Sequence, residues 1–314
     1  MMSEAEETIA RSVIGQRPRE WTTWQDLRDP RRRRLVGLAG YVGLVTVLFV
    51  QTLTSLLGLA LDNDLHSYIP IVPVISGYLL YIRPRTIVPY SSSVGATIGV
   101  AGAGFAALGA SIRLHATLSV NDDLAVMMLA YVSFIVAGGF LFLGSKRMAA
   151  AAFPIAFLLF MIPLPDAAVA WLELALVAAS ADAAALFFNM TGTPLFRQGT
   201  IFALPGIVLE VARECSGIRS TVVLFITSVL ASHLFLKSTW RRFALLTFVI
   251  PLAILRNGFR ILVIGLLCVY VGPHMSESMI HRRGGPIFFV LSLIPLFMFL
   301  LLLRRQGRRA DIRE

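Results

Sequence analysis

Apolar runs separated by short polar segments extend along almost the whole chain. Most runs hold about 20 residues, the length that an α-helix needs to cross a hydrocarbon core of ~30 Å. The pattern predicts an all-α integral membrane protein with about eight transmembrane helices. Their expected bounds are 35–60, 67–82, 90–112, 123–144, 148–164, 216–236, 243–266 and 286–303.

The polar segments between these runs alternate in charge. Arginine and lysine gather in every second segment, and acidic residues gather in the others. Because basic segments stay on the cytoplasmic side of a membrane, both termini are predicted to be cytoplasmic. Among the expected outer segments, only the one with "HRRGG" (281–285) carries paired arginines. The inner segments are the tail with "RRRR" (31–34), "RPR" (83–85), "SKR" (145–147), "KSTWRR" (237–242) and the basic C-terminal end.

The spans and their connections form one predicted membrane domain over residues 35–303. Basic cytoplasmic tails flank it at 1–34 and 304–314. The first tail contains no apolar stretch, so the sequence predicts no cleavable signal peptide.

Residues 166–190 are apolar enough to be considered as a ninth span. However, Asp166, Glu173 and Ser180 recur every seven residues and share one helical face. A ninth span would also place the following basic segments outside. A helix lying in the outer interface is therefore predicted. Glycine and proline then separate short β-prone pieces, which predicts a small β-ribbon that completes an outer-face insert at 165–215.

Composition and charge support the membrane assignment. The chain is 57% hydrophobic and 15% charged, with a mean hydropathy of +0.76, whereas soluble domains are usually about 25% charged. The net charge of +10 does not indicate nucleic-acid binding, because the arginines cluster at the ends of apolar runs. The two cysteines and the histidine spacing match neither a disulfide framework nor a zinc site.

Cys215 is the first residue with candidate chemistry. It stands in "ARECSGIRS" (212–220), where a polar strip meets the start of a predicted helix. A helix N-terminus, with Arg213 or Arg219 nearby, would favour the thiolate, which is the nucleophilic form. Cysteine is also common as an inert residue of membrane helices, and Cys268 is best interpreted in that way.

Two arginines and a histidine extend the candidate site. Arg256 and Arg260, in "LRNGFRI" (255–261), lie within an apolar run and four residues apart, hence on one helical face. An arginine inside a transmembrane helix usually indicates function. The alternative is a packing role, in which the arginine pairs with an acidic residue such as Glu210 or Glu214. His281 stands in "MIHRRGGPIFF" (279–289), just before the last span. The other histidines, His66, His115, His233 and His274, are assigned structural or peripheral places.

These side chains come from separate spans but share the predicted outer face. A cysteine and a histidine provide a nucleophile and a general acid or base. A fixed arginine can stabilise an oxyanion. The combination predicts acyl transfer through a thioester.

The ordered set of motifs resembles the exosortase/archaeosortase family of membrane cysteine transpeptidases. The resemblance rests on "PLP" (163–165), the stretch 192–220, "RNGFRI" (256–261) and "HRRGGPIFF" (281–289), and extends from about residue 60 to 305. It assigns Cys215 as the nucleophile, Arg260 as the transition-state stabiliser and His281 as the general acid or base, with Arg256 as the alternative arginine. Asn257 matches the family's accompanying asparagine, whose implied role is to orient Arg260.

The resemblance implies a thiol protease and transpeptidase of the bacterial inner membrane, with its active site on the periplasmic face. It would cleave the C-terminal sorting signal (a PEP-CTERM-like tail) of exported proteins and pass the new C-terminus to an acceptor amine. Linkage to exopolysaccharide or surface-protein assembly is implied, and no metal or organic cofactor is expected.

Two other classes of function stay open at this point. A polytopic transporter or scaffold of an envelope-polysaccharide system would use the same polar residues without catalysis, and would not depend on the thiol. A membrane acyl- or glycosyltransferase acting on lipid-linked sugars would be expected to use acidic residues or a histidine-led motif. The outer acidic pairs Asp62/Asp64 and Asp122/Asp123 lack such a partner motif.

Overall fold

The computed structural model describes residues 30–82, 90–91, 93–211, 215–272 and 285–311. Two 3₁₀ helices lie at Asp64–His66 and Leu158–Met161. The strands are β1 (Phe196–Gln198), β2 (Ile201–Leu204) and β3 (Ile207–Glu210). The α-helices are α1 (Pro30–Leu48), α2 (Val50–Asp62), α3 (Ile71–Tyr81), α4 (Val94–Leu114), α5 (Val120–Leu143), α6 (Ser145–Ala150), α7 (Ala152–Phe157), α8 (Asp166–Met190), α9 (Ile218–Phe235), α10 (Thr239–Tyr270) and α11 (Gly285–Asp311).

Membrane-length helices dominate this arrangement. Among the described residues, six helices are long and apolar enough to cross a membrane, namely α4, α5, α8, α9, α10 and α11. A seventh crossing arises if α1 and α2, which are bent by 69° relative to each other, act as one broken span. The chain is thus a mostly helical membrane protein, and the predicted number of eight spans is not confirmed.

Two of the expected spans are short or broken. The span expected at 67–82 is helical only over α3, which is roughly 16 Å long at 1.5 Å per residue. The span expected at 148–164 is divided into α6, α7 and a 3₁₀ helix. The break lies at Ala151, and Pro154, which has no N–H to bond to the carbonyl of Ala150, falls in the first turn of α7, where a missing N–H is tolerated. Apolar length alone did not reveal this break.

The N-terminal half is built around α5. Ala130 and Phe134 of α5 pack on Val45 of α1 in one apolar cluster. Nearer its start, Leu124 packs in a second cluster with Leu56 of α2. The order of these contacts shows that α5 runs antiparallel to α1 and α2.

The C-terminal half is built around α10, whose contacts with α8 are unusually close. A Cβ atom at Gly258 would lie 2.7 Å from Ala183, and one at Gly265 would lie 2.5 Å from Phe188. The contacts advance in the same direction along both helices, so the last part of α8 runs parallel to α10. On its other side, α10 shares an apolar cluster with α9 and α11, which contains Leu245 and Leu296.

The ends of the helices divide by charge. At one end, here called the acidic end, α2 finishes and α5, α9 and α11 begin. Arg219 at the start of α9 forms a 2.7 Å ion pair there with Asp64, and Ser111 near the end of α4 donates to Asp123 of α5 at 2.5 Å. The opposite, basic end carries Arg33, Arg34, Lys146, Arg147, Lys237, Arg241, Arg242, Arg304 and Arg305.

Helix α8 stays at the acidic end along most of its length. At its start, the backbone N–H of Asp166 donates to the carboxylate of Asp122 at 2.8 Å. In its middle, Glu173 lines a cavity together with Ser216 and other residues at the start of α9. Further on, α8 contacts Gly258 of α10, next to the residue that bonds to the Cys215 carbonyl. Although α8 is long enough to span, it therefore contacts one end of the bundle.

The predicted β-ribbon is confirmed as a three-stranded antiparallel sheet in the order β1-β2-β3. Ala203 pairs with Phe196 of β1 and with Val208 of β3. Phe202 is fully buried in a cluster that also holds residues of α8 and α10. An ion pair of 2.7 Å between Arg197 and Asp182 joins the sheet to α8 as well. The sheet is thus fixed on the acidic end of the bundle.

His66 provides a test of packing at this end. Its side chain is 2% exposed, and neither ring nitrogen has a hydrogen-bond partner among the described residues. Burial lowers the pKa of His66, and the nearby Asp166 carboxylate opposes that shift only in part.

The folded state therefore binds a proton at His66 less readily than the unfolded chain does. Stability is expected to be complete above the unfolded-state pKa of about 6.5 and to fall as the pH drops below it. Melting temperatures of the purified protein between pH 8 and pH 5 would measure this. In His66→Leu, the melting temperature should fall less at low pH than in the native protein. In the control variant His115→Gln, which changes an exposed histidine, the fall should be the same as in the native protein. A fall of equal size in His66→Leu would contradict the assignment.

Candidate active site

Cys215 lies between the sheet and α9. Strand β3 ends at Glu210, and the residues 212–214 lie outside the described structure. Cys215 is partly buried, and α9 begins three residues later at Ile218. The residue that caps α9 is Gly217, which has a left-handed backbone with φ of 70°. The thiol is thereby held beside the N-terminal turn of α9.

Two adjacent side chains of α10 hold the three residues before α9 in place. The amide nitrogen of Asn257 donates to the carbonyl of Cys215 at 2.8 Å and to that of Ser216 at 3.3 Å. The guanidinium of Arg256 donates to the carbonyl of Gly217 at 3.2 Å and to the hydroxyl of Thr221 at 3.3 Å. Asn257 therefore positions the Cys215 backbone, which differs from its implied role of orienting Arg260.

Gly217 meets two requirements in this arrangement, a left-handed backbone and the absence of a side chain. Its φ is unfavourable for other residues, and an added Cβ would lie 2.9 Å from the Asn257 oxygen and 3.0 Å from Arg256. Gly217→Ala is expected to destabilise the protein by more than the roughly 1–2 kcal/mol of the backbone term alone.

Gly192 offers a matched control for the Gly217 substitution. Its φ is 69°, but an added Cβ would meet nothing within 4 Å. The difference in unfolding free energy between Gly217→Ala and Gly192→Ala thus isolates the contact with Asn257 and Arg256. Equal losses in the two variants, measured by thermal unfolding, would show that the contact contributes nothing.

Cys215 and Arg260 line the same small pocket. The pocket has a volume of about 20 Å³, enough for about one water molecule or a methyl group. Its other walls are mostly aliphatic and come from β3, the residue that follows it, and α10: Leu209, Glu210, Val211, Ile261 and Ile264. The structure therefore brings the predicted nucleophile and the predicted arginine together in a mostly apolar setting.

Arg260 also lines a larger cavity of about 600 Å³ at the acidic end. This cavity lies between the segment that follows α2, the starts of α9 and α11, and side chains from within α8 and α10. Ser216, directly after Cys215, is part of its wall, and Glu173 of α8 is another. Its volume is within the range of small-ligand sites, about 300–1,000 Å³. Arg260 thus borders both spaces.

The two arginines of the "LRNGFRI" motif have different surroundings. Arg256 is 8% exposed, and its guanidinium donates to the Gly217 carbonyl and the Thr221 hydroxyl at the start of α9. Arg260 is partly buried and faces the pocket of Cys215. Both arginines lie on one side of α10. Arg260 is among the residues that line the pocket of Cys215, and Arg256 is not.

The remaining candidates are distributed elsewhere. His281 lies outside the described residues, as do Arg213, Glu214 and His274. Among the histidines that the structure describes, His115 contacts Asp123 at 3.0 Å, and His233 stacks on Phe153 with the ring centroids 3.5 Å apart. In the described part of the chain, no three His, Cys, Asp or Glu side chains come together as a metal site would require.

Two features of the site were not anticipated from the sequence. Glu173 was interpreted only as part of a polar helical face, yet it lines the cavity beside Ser216. The requirement for Gly217 was also missed, although glycine is the default residue where a left-handed backbone is needed. Neither arrangement could be found from spacing, because each brings together residues at least 39 positions apart in the chain.

Comparison with known families identifies the class of protein that this fold and site define. A family model described as transmembrane exosortase (Exosortase_EpsH) matches residues 60–298. The chain belongs to this family. A search of the curated proteins and a search of the solved structures each found no match.

Proposed function

We propose that this protein is a membrane cysteine peptidase and transpeptidase that cleaves the C-terminal sorting tail of exported proteins through a thioester at Cys215. Membership of the transmembrane exosortase family supports a transpeptidase-type role in a membrane. The observation that carries the assignment of residues is the shared pocket of Cys215 and Arg260 at the acidic end.

In the proposed reaction, the Cys215 thiolate attacks the carbonyl carbon of the scissile peptide bond. Arg260 stabilises the negative charge that develops on the carbonyl oxygen. His281, proposed as general acid, gives a proton to the leaving amine as the C–N bond breaks, which leaves a thioester on Cys215. An acceptor amine or water then attacks the thioester, His281 takes its proton, and the C–S bond breaks. Asn257 and Arg256 act as positioning residues.

We propose that the acidic end faces the periplasm and that both termini are cytoplasmic. The distribution of charge supports this orientation, because basic residues concentrate at the opposite end and such residues stay in the cytoplasm. Residues 35–303 then form the membrane domain, with tails at 1–34 and 304–314. The contacts of α8 with one end of the bundle support a place for it across the outer interface, with the sheet above it.

The same orientation rule would act on the substrate. A sorting tail with a transmembrane helix and a basic end would be held with its cleavage motif at the periplasmic face. The proposed partners are exported proteins with such tails, an acceptor amine, and the lipid bilayer of the inner membrane. The proposed setting is the assembly of exopolysaccharide or surface proteins.

The test uses the enzyme produced together with a tagged exported protein that carries a candidate tail. Release of the tail by the native enzyme is compared with release by Cys215→Ala, and Cys215 is examined by mass spectrometry for an acyl adduct. Release that requires Cys215, together with an adduct on that residue, is the expected result. If the Cys215→Ala variant still releases the tail, the proposed function is contradicted and the transporter or scaffold alternative is favoured.

A further inference from the structure

The large cavity beside the thiol pocket contains a carboxylate that the proposed mechanism does not use. Four charged side chains line the cavity: Asp64, Glu173, Arg219 and Arg260. Asp64 and Arg219 form the 2.7 Å ion pair. Glu173 is partly buried, and none of the ion pairs among the described residues includes it. Its negative charge is therefore available to a ligand in the cavity.

The position of the cavity indicates which ligand that is. Cys215 lines the small pocket, Ser216 lines the large cavity, and Arg260 lines both. A carbonyl carbon bonded to the Cys215 sulfur, with its oxygen at Arg260, would therefore stand at the boundary between the two spaces. The acyl group stays with the thiol, and the small pocket holds only about one water molecule, so the cavity is the space from which a larger nucleophile can approach.

We propose that the cavity is the binding site for the acceptor and that Glu173 binds the acceptor's protonated primary amine. This inference rests on the proposed function. Asp64 and Arg219 compensate each other in their ion pair, and the proposed oxyanion balances the charge of Arg260, which leaves the Glu173 carboxylate as the remaining charge of the cavity wall. An ammonium group complements it, since it carries one positive charge and three hydrogen-bond donors.

The bound ammonium releases one proton to water and becomes the free amine. Its nitrogen forms a bond to the thioester carbonyl carbon, the second proton passes from nitrogen to His281, and the C–S bond breaks. The products are an amide and the Cys215 thiolate, with His281 protonated as in the proposed reaction. Because water competes for the same thioester, the occupancy of the cavity by the amine determines the ratio of transfer to hydrolysis.

The test measures that ratio with the full-length enzyme in liposomes and a tagged sorting-tail substrate. Two probes are added separately: propylamine, which is a cation at neutral pH, and hydroxylamine, which is largely neutral. Glu173→Gln is expected to lower the transfer-to-hydrolysis ratio for propylamine about ten-fold or more, the effect of losing one contact to a charged group. Capture by hydroxylamine should change much less.

Asp182→Asn provides a matched control, because Asp182 is a carboxylate on the same helix that pairs with Arg197 of the sheet and is not among the cavity-lining residues. Its ratio should equal that of the native enzyme. A Glu173→Gln variant with an unchanged ratio for propylamine, or with equal losses for both probes, would overturn the inference. If tail release occurs equally in Cys215→Ala, the proposed function itself fails, and this inference fails with it.

Discussion

Replacing Cys215 with alanine is expected to lower the rate of tail release by about 10⁵–10⁶-fold, the loss that follows removal of a catalytic nucleophile. The reason is that no thioester can form without the sulfur. Cys215→Ser should recover little of this activity, because a hydroxyl is a weak nucleophile unless a base is placed to activate it. The measurement is the initial rate of release of a tagged tail by the purified enzyme, normalised to folded protein.

Cys268 supplies the control for this experiment. It is a free cysteine, 3% exposed, within α10, and it does not line the pocket of Cys215 and Arg260. Cys268→Ala should therefore retain tail release at close to the native rate and should still form the acyl adduct. A variant that lacks Cys215 but still releases the tail at more than a small fraction of the native rate would exclude covalent catalysis by this residue.

Replacing Arg260 with glutamine is expected to lower kcat by about 10²–10³-fold, the range observed when one oxyanion donor is removed. KM should change much less, because the charge that Arg260 stabilises develops only in the transition state. Arg260→Lys should recover part of the loss, since it keeps the charge without the planar guanidinium. The readout is kcat and KM for tail release, together with the melting temperature of each variant.

Arg256→Gln separates this effect from a structural one. Arg256 bonds to the Gly217 carbonyl and the Thr221 hydroxyl, so its loss should act mainly on stability and on the placement of Cys215. We expect a clear fall in melting temperature and a smaller fall in kcat than Arg260→Gln shows. The opposite order, with Arg256→Gln nearly inactive and Arg260→Gln nearly native, would assign the oxyanion role to Arg256.

The membrane class, the sheet and the family could be predicted from the sequence because each leaves a local signal. Runs of about 20 apolar residues and alternating loop charge are local in the chain, as are the turn residues that separate β1, β2 and β3. The motifs around Cys215 and Arg260 are also short and contiguous. The expected span at 148–164 is divided at Ala151, just before the turn that holds Pro154, and this division is not visible in the apolar content of the segment.

The sequence by itself thus determined that this chain is a membrane protein with a thiol at a helix start and two arginines on one face of another helix. Only the tertiary structure decided that Arg260 borders the Cys215 pocket while Arg256 and Asn257 bond to the backbone before α9. It also placed Glu173 in the cavity beside Ser216. The physical reason is that these contacts depend on how α8, α9 and α10 pack against one another. Helical periodicity gives the face of a single helix, but the direction of that face relative to its neighbours is fixed by close contacts such as those at Gly217 and Gly258.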